Sequence, residues 1–194
     1  MIRQVFSTLT AALVAVSIGA QPVHANGTLE DHANLLHAIE SAGVRVYINP
    51  SHCALPQYAG VSGFYVSQSK VFVVCQDGGN GDGNIVAMSD NDLDTIRHES
   101  QHVIQDCLDG IGNGQLQTFF PEEATKEGQI THYEFVTSVL SPRDINRITH
   151  TYGSNGATPE VILLEYEAFA VSRAIGAQEI TSVVQQVCPV SDNN

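Results

Sequence analysis

Apolar and polar positions change rhythm twice along the chain. Behind Thr28, with Asp31 at the third position and Gly43 as a stop, Leu29 to Ala42 is predicted to form a capped helix. The rhythm then shortens to two. "VRVYI", Val44 to Ile48, alternates and is rich in β-branched residues, which predicts a strand ended by Asn49-Pro50. "GFYVS" and "KVFVVC" follow across a short polar turn at Gln68-Ser69 and read as a β-hairpin. "QDGGNGDGN", Gln76 to Asn84, has the composition of a loop. Beyond it the spacing returns to three and four. Carboxylates from Asp90 to Asp94 favour the start of a helix over about Asp92 to Leu108. Pro121 opens a helical segment to about Leu140. Ser141-Pro142 opens another, stopped by Gly153, and Thr158-Pro159 opens a third through "EVILLEYEAFAVSRAI", stopped by Gly176. A last helix runs to about Cys188, before Pro189. Strands first and helices after predict an α+β domain: a small, mostly antiparallel sheet, then an active-site helix and a helical C-terminal half.

The first 25 residues stand apart. Arg3 supplies a positive start, Val5 to Ala20 is mostly apolar, and Val23-His24-Ala25 has the form of a cleavage site. Residues 1–25 are therefore expected to be a secretory signal peptide, and residues 26–194 a single domain without repeats or low-complexity linkers. No later segment is long and apolar enough to suggest membrane insertion after signal cleavage.

Export changes how cysteine is read. The four cysteines all follow the signal, and an even count in an oxidising compartment predicts two disulfides. Of three possible pairings, Cys53–Cys75 with Cys107–Cys188 is expected, because each pair ties together parts of one half. The formal net charge of −13 argues against nucleic acid or an anionic membrane surface as partner.

The candidate chemistry lies in "HESQH", which fits H-E-x-x-H. On a helix, His98 and His102 project from one face about a turn apart, so both imidazoles can reach one metal ion. Glu99 points to the side of the pair, where a base can act without ligating. Gln105, three residues after His102, can orient an imidazole. Leu93, Ile96, Ser100, Val103 and Cys107 form a core stripe, which predicts that the histidine face turns towards a cleft. A catalytic zinc site needs a third protein ligand. The candidate segment is "LLEYEAFA", where Val161, Leu164, Ala168, Val171 and Ile175 make a buried stripe. Glu165 and Glu167 flank that stripe on opposite sides, and periodicity does not choose between them.

The signal peptide, "HESQHVIQ" and the later E-x-E-A helix together resemble the gluzincin type of zincin metallopeptidase. More narrowly, they resemble small bacterial secreted metallopeptidases with H-E-x-x-H-x-x-Q and a downstream Glu-x-x-Ala. The resemblance covers about a quarter of the mature chain. It implies a zincin-like fold with an edge strand able to bind an extended peptide. It also implies zinc (Zn2+) held by His98, His102 and a glutamate, with Glu99 as general base in peptide-bond hydrolysis. The Glu-x-x-Ala phase of the small families favours Glu165 as third ligand; the order in thermolysin-like enzymes favours Glu167. Glu165 is the expected ligand. The chain lacks the substrate-binding motif of larger peptidases.

His132, Tyr133, His150 and Tyr152 are available to stabilise an oxyanion, with "THTYG", His150 to Gly153 within it, the preferred source. His32, His37 and His52 read as surface or satisfied core histidines. Asp77, Asn80, Asp82 and Asn84 offer oxygens to calcium, but their spacing fits a plain loop better. The expected function is a secreted or periplasmic zinc-dependent peptidase acting on a peptide or protein. The alternatives are an exported zincin-fold protein that binds metal or a partner without turnover, and a disulfide-stapled structural or interaction domain in which the H-E-x-x-H match is coincidental.

Overall fold

The computed structural model describes residues 27–188. The segment read as a signal peptide lies outside them. Helix α1, Leu29–Ser41, starts at a capping box: Thr28 Oγ1 accepts from the Asp31 N–H, and Asp31 Oδ2 accepts from the Thr28 N–H. Gly43 then takes the left-handed backbone that ends it.

Three short strands follow: β1 Arg45–Ile48, β2 Gly63–Val66 and β3 Val71–Val74. Their order in the sheet is β1-β3-β2. β2 and β3 form the expected antiparallel hairpin, turned at Lys70 in left-handed backbone. β1, however, runs parallel to β3, so the sheet is mixed rather than mostly antiparallel. The connection from Ile48 to Gly63 is too long for a hairpin. It carries two 3-10 turns, Ser51–Ala54 and Pro56–Tyr58, and returns the chain on the far side of the position β3 will occupy. β3 is central, and Phe72, Val73 and Val74 are fully buried.

The chain then turns helical: α2 Asp90–Cys107, α3 His132–Val139, α4 Pro142–Ser154, α5 Pro159–Ala174 and α6 Ala177–Val187. Ser89 caps α2 in a box with Asp92, slightly ahead of the expected start. The helix expected from Pro121 is much shorter. Gly128 takes a positive φ, which breaks a helix through that stretch, and Thr131 caps the real start in a box with Glu134. Residues 121–131 are irregular, and the two ends of the segment are joined by His132 N–H donating to the Pro121 carbonyl. The sequence thus yields an α+β chain with a three-stranded mixed sheet and six helices among the described residues.

α2 is the axle of the fold. It packs against α5, α6, α1, β2 and β3. Every residue from Thr95 to Cys107 is buried. The expected stripe of Ile96, Ser100, Val103 and Cys107 does face the core, but the histidine face does not open to a cleft; α5 covers it. Arg97 ties three helices together. Its Nε donates to the Ser172 carbonyl (2.8 Å), Nη1 lies 2.8 Å from His32 Nε2, and Nη2 pairs with Asp94 Oδ1 (3.3 Å). His32 lies 2.7 Å from the Thr28 carbonyl through Nδ1, which makes it a satisfied core histidine. Burial, and secondarily the guanidinium, lower its pKa and favour the neutral ring.

Two disulfides close the structure, with the expected pairing. Cys53–Cys75 clasps the long β1–β2 connection to the end of β3, and Cys107–Cys188 joins the ends of α2 and α6. Such bonds persist in oxidising compartments. No helix among the described residues is long and apolar enough to cross a membrane.

Candidate metal centre

α2 and α5 cross where the two motifs lie, and three side chains meet there. His98 Nε2 is 3.3 Å from Glu165 Oε2, and His102 Nε2 is 3.5 Å from Glu165 Oε1. Each of the three offers a ligand atom, and these atoms lie within 4.8 Å of one another. Their side chains are 10–12% exposed. Glu165 Oε2 is buried without a hydrogen-bond partner among the described residues. A buried, underused carboxylate oxygen beside two imidazole nitrogens is the donor set of a small divalent cation. His98, His102 and Glu165 can hold a metal ion.

The charges agree with that reading. Burial works against the ionised form of Glu165, yet the adjacent imidazoles of His102 and His98 hold its carboxyl well below the ordinary range. Burial also opposes the charged form of His102, but Glu165 overrides it and lifts the imidazole to about 9. A metal ion would take the place of the proton that Glu165 otherwise attracts.

Glu99 is buried beside the pair. Desolvation raises its carboxyl pKa, while His98 and His102 pull the other way. β2, the edge strand, passes close by. A Cβ on Gly63 would lie 2.6 Å from Thr95 Cγ2 and 3.4 Å from Glu99 Cγ, so only glycine permits this approach. The Tyr65 backbone N–H also favours the charged form of Glu99.

The oxyanion candidates separate clearly. Tyr152, on α4, faces the centre: burial first, then Glu165 and Glu99, push its phenol pKa up. His132 is buried with Nε2 3.0 Å from the Leu163 carbonyl, a structural role. Tyr133 and His150 are exposed. His37 is exposed as well, and His52 packs half-buried on Tyr58 and Phe64.

Glu167 does not join the three. Its carboxylate is fully buried and accepts four hydrogen bonds: Gln101 Nε2 (2.7 Å), Gln105 Nε2 (2.9 Å), Phe119 N–H (2.9 Å) and Phe120 N–H (3.0 Å). Gln101 escaped the sequence reading. Its signal was there, because Gln101 and Gln105 repeat the four-residue spacing of His98 and His102 on the adjacent flank of α2. The loop oxygens of Asp82 and Asn80 are used in local turns with Asn84 and Asp82 backbone N–H groups.

A family model described as Domain of unknown function (DUF8637) matches residues 22–188. The chain belongs to the DUF8637 family. The match spans both motif helices, both disulfides and the whole sheet, so the DUF8637 domain contains every residue of the centre. No curated protein and no solved structure matches the chain.

Proposed function

We propose that this protein is an exported zinc-dependent peptidase with a zincin-like fold. The observation that carries the reading is the meeting of Glu165 with the Nε2 atoms of His98 and His102 on a neighbouring helix. Two imidazoles, one carboxylate and an adjacent buried glutamate suit zinc and hydrolysis. The two disulfides and the signal-like N-terminus support a secreted or periplasmic protein. The acidic net charge disfavours nucleic acid as the substrate.

Zinc held by these three residues supplies Lewis-acid chemistry, polarising a carbonyl and making water nucleophilic near neutral pH. The chain's own groups do the rest. Glu99 takes the proton of the attacking water and returns it to the leaving amine. Its raised pKa suits a group that must do both. Tyr152 donates its hydroxyl hydrogen to the developing oxyanion. The backbone of β2 at Gly63 and Tyr65 lies along Glu99, where an extended peptide could add to the sheet edge.

Burial favours a second reading. His98, Glu99 and His102 are only 7–8% exposed, which suits a protein that holds metal without turnover. One experiment separates the two. Purified wild type and Glu99→Gln are assayed for zinc content and for cleavage of an unfolded protein. The peptidase reading expects about one zinc in both and a loss of cleavage on the order of a thousandfold in the variant. Zinc in both without cleavage by either selects the metal-holding reading, and absence of zinc from folded wild type refutes both.

A further inference from the structure

We propose that Glu167 is a positioning residue that acts through Gln105 to hold the hydrogen of His102 on Nδ1 and its Nε2 towards Glu165. The inference rests on the reading of His98, His102 and Glu165 as metal ligands.

The Gln105 amide has no freedom to turn over. Its Nε2 approaches two pure acceptors, Glu167 Oε1 at 2.9 Å and the Leu164 carbonyl at 3.2 Å. A flipped amide would set its oxygen against both. Gln105 Oε1 therefore faces His102 Nδ1, 2.8 Å away, and can only accept. Nδ1 must carry the hydrogen, so when the ring is neutral, as a metal ligand is, its lone pair lies on Nε2, the nitrogen beside Glu165.

Glu167 is fixed in turn. Three donors converge on its Oε1 and the Phe120 N–H on its Oε2, from two elements besides its own. The hydrogen bonds run in one direction, from the 119–120 backbone and Gln101 into Glu167, and from His102 into Gln105 and on to Glu167. His98 has nothing comparable, because its Nδ1 is buried without a hydrogen-bond partner among the described residues. The asymmetry assigns the relay to one ligand.

The test is zinc affinity by chelator competition, on folded protein, for wild type, Glu167→Met, Gln105→Leu and the double variant. Each single change is expected to weaken zinc binding about 10- to 100-fold. The double variant should bind as Gln105→Leu does, because Glu167 has no route to His102 without the amide. Where Glu167→Met does not fold, Glu167→Gln replaces it and shows a smaller loss that vanishes in the Gln105→Leu background. NMR of 15N-histidine in the zinc-loaded protein gives an independent readout. The His102 Nδ1–H should exchange slowly with water in wild type and faster in the Glu167 variant. Equal zinc affinity in folded wild type and Glu167 variant, or losses that simply add in the double variant, overturn this proposal and leave the metal reading standing. A folded wild type that takes up no zinc overturns both.

Discussion

Glu165 and Glu167 sit two positions apart on α5 and flank its contact with α2 from opposite sides. The surroundings of the two carboxylates differ in kind. Glu165 meets two imidazoles and keeps one buried oxygen without a hydrogen bond. Glu167 meets four neutral N–H donors and is saturated. The first environment calls for a cation, and the second supplies everything an anion needs from the chain itself. Identical side chains on one helix thus separate into a ligand and a structural anchor through the donors each meets.

The comparison breaks most sharply under substitution. Glu165→Gln should leave the fold intact and cut zinc affinity on the order of a thousandfold, read by chelator competition. Glu167→Ala should do the reverse in weight. It strands four buried donors and should lower unfolding stability by about 4 kcal/mol in denaturant titrations of the metal-free protein. A Glu167 variant as stable as wild type would make the two sites alike and sink the distinction.

Acidity sharpens it. In the metal-free protein, His102 is raised from its unfolded value of 6.5 to about 9 by Glu165, against the effect of burial. Its contribution to stability is complete below pH 6.5 and disappears as pH rises through about 9. Glu99, with a raised carboxyl pKa, adds a loss that begins as pH rises above its ordinary value of 4.5. Metal-free protein should therefore lose stability between pH 6.5 and 9, whereas zinc-loaded protein, with its imidazoles already neutral, should not. Parallel alkaline profiles with and without zinc would show that Glu165 is not the group that binds His102. The smallest effects belong to Tyr133→Ala and His150→Ala. Both residues are exposed and should change stability by less than about 0.5 kcal/mol and leave zinc affinity unaltered. Tyr152→Phe should leave zinc affinity alike but slow any cleavage about a hundredfold.

Much of this was legible along the chain, and the limits have physical causes. The pair His98 and His102 follows from helical spacing alone. So does the fact that Glu165 and Glu167 flank one stripe, since angle around a helix is local information. Which flank a neighbouring helix covers is not local, and only the crossing of α2 and α5 reveals it. The same limit hid the buried polar network. A period of three and four marks one apolar face, but α2 is enclosed on every side, with Arg97, Gln101 and Gln105 satisfied by partners distant in sequence. The parallel pairing of β1 was likewise invisible, because strand direction depends on how the β1–β2 connection travels. The start expected at Pro121 failed for a different reason: a proline permits a first helical turn but does not supply the cap, which Thr131 provides.

Enclosure of α2 also changes how the chain should tolerate change over evolutionary time or in a mutational scan. A surface helix leaves a rhythm in such a map, with tolerant positions every three or four residues. From Thr95 to Cys107 there is no solvent-facing position to supply one. The map should show a continuous intolerant block there, with glutamines as restricted as isoleucines, so that the segment resembles a buried strand more than a helix.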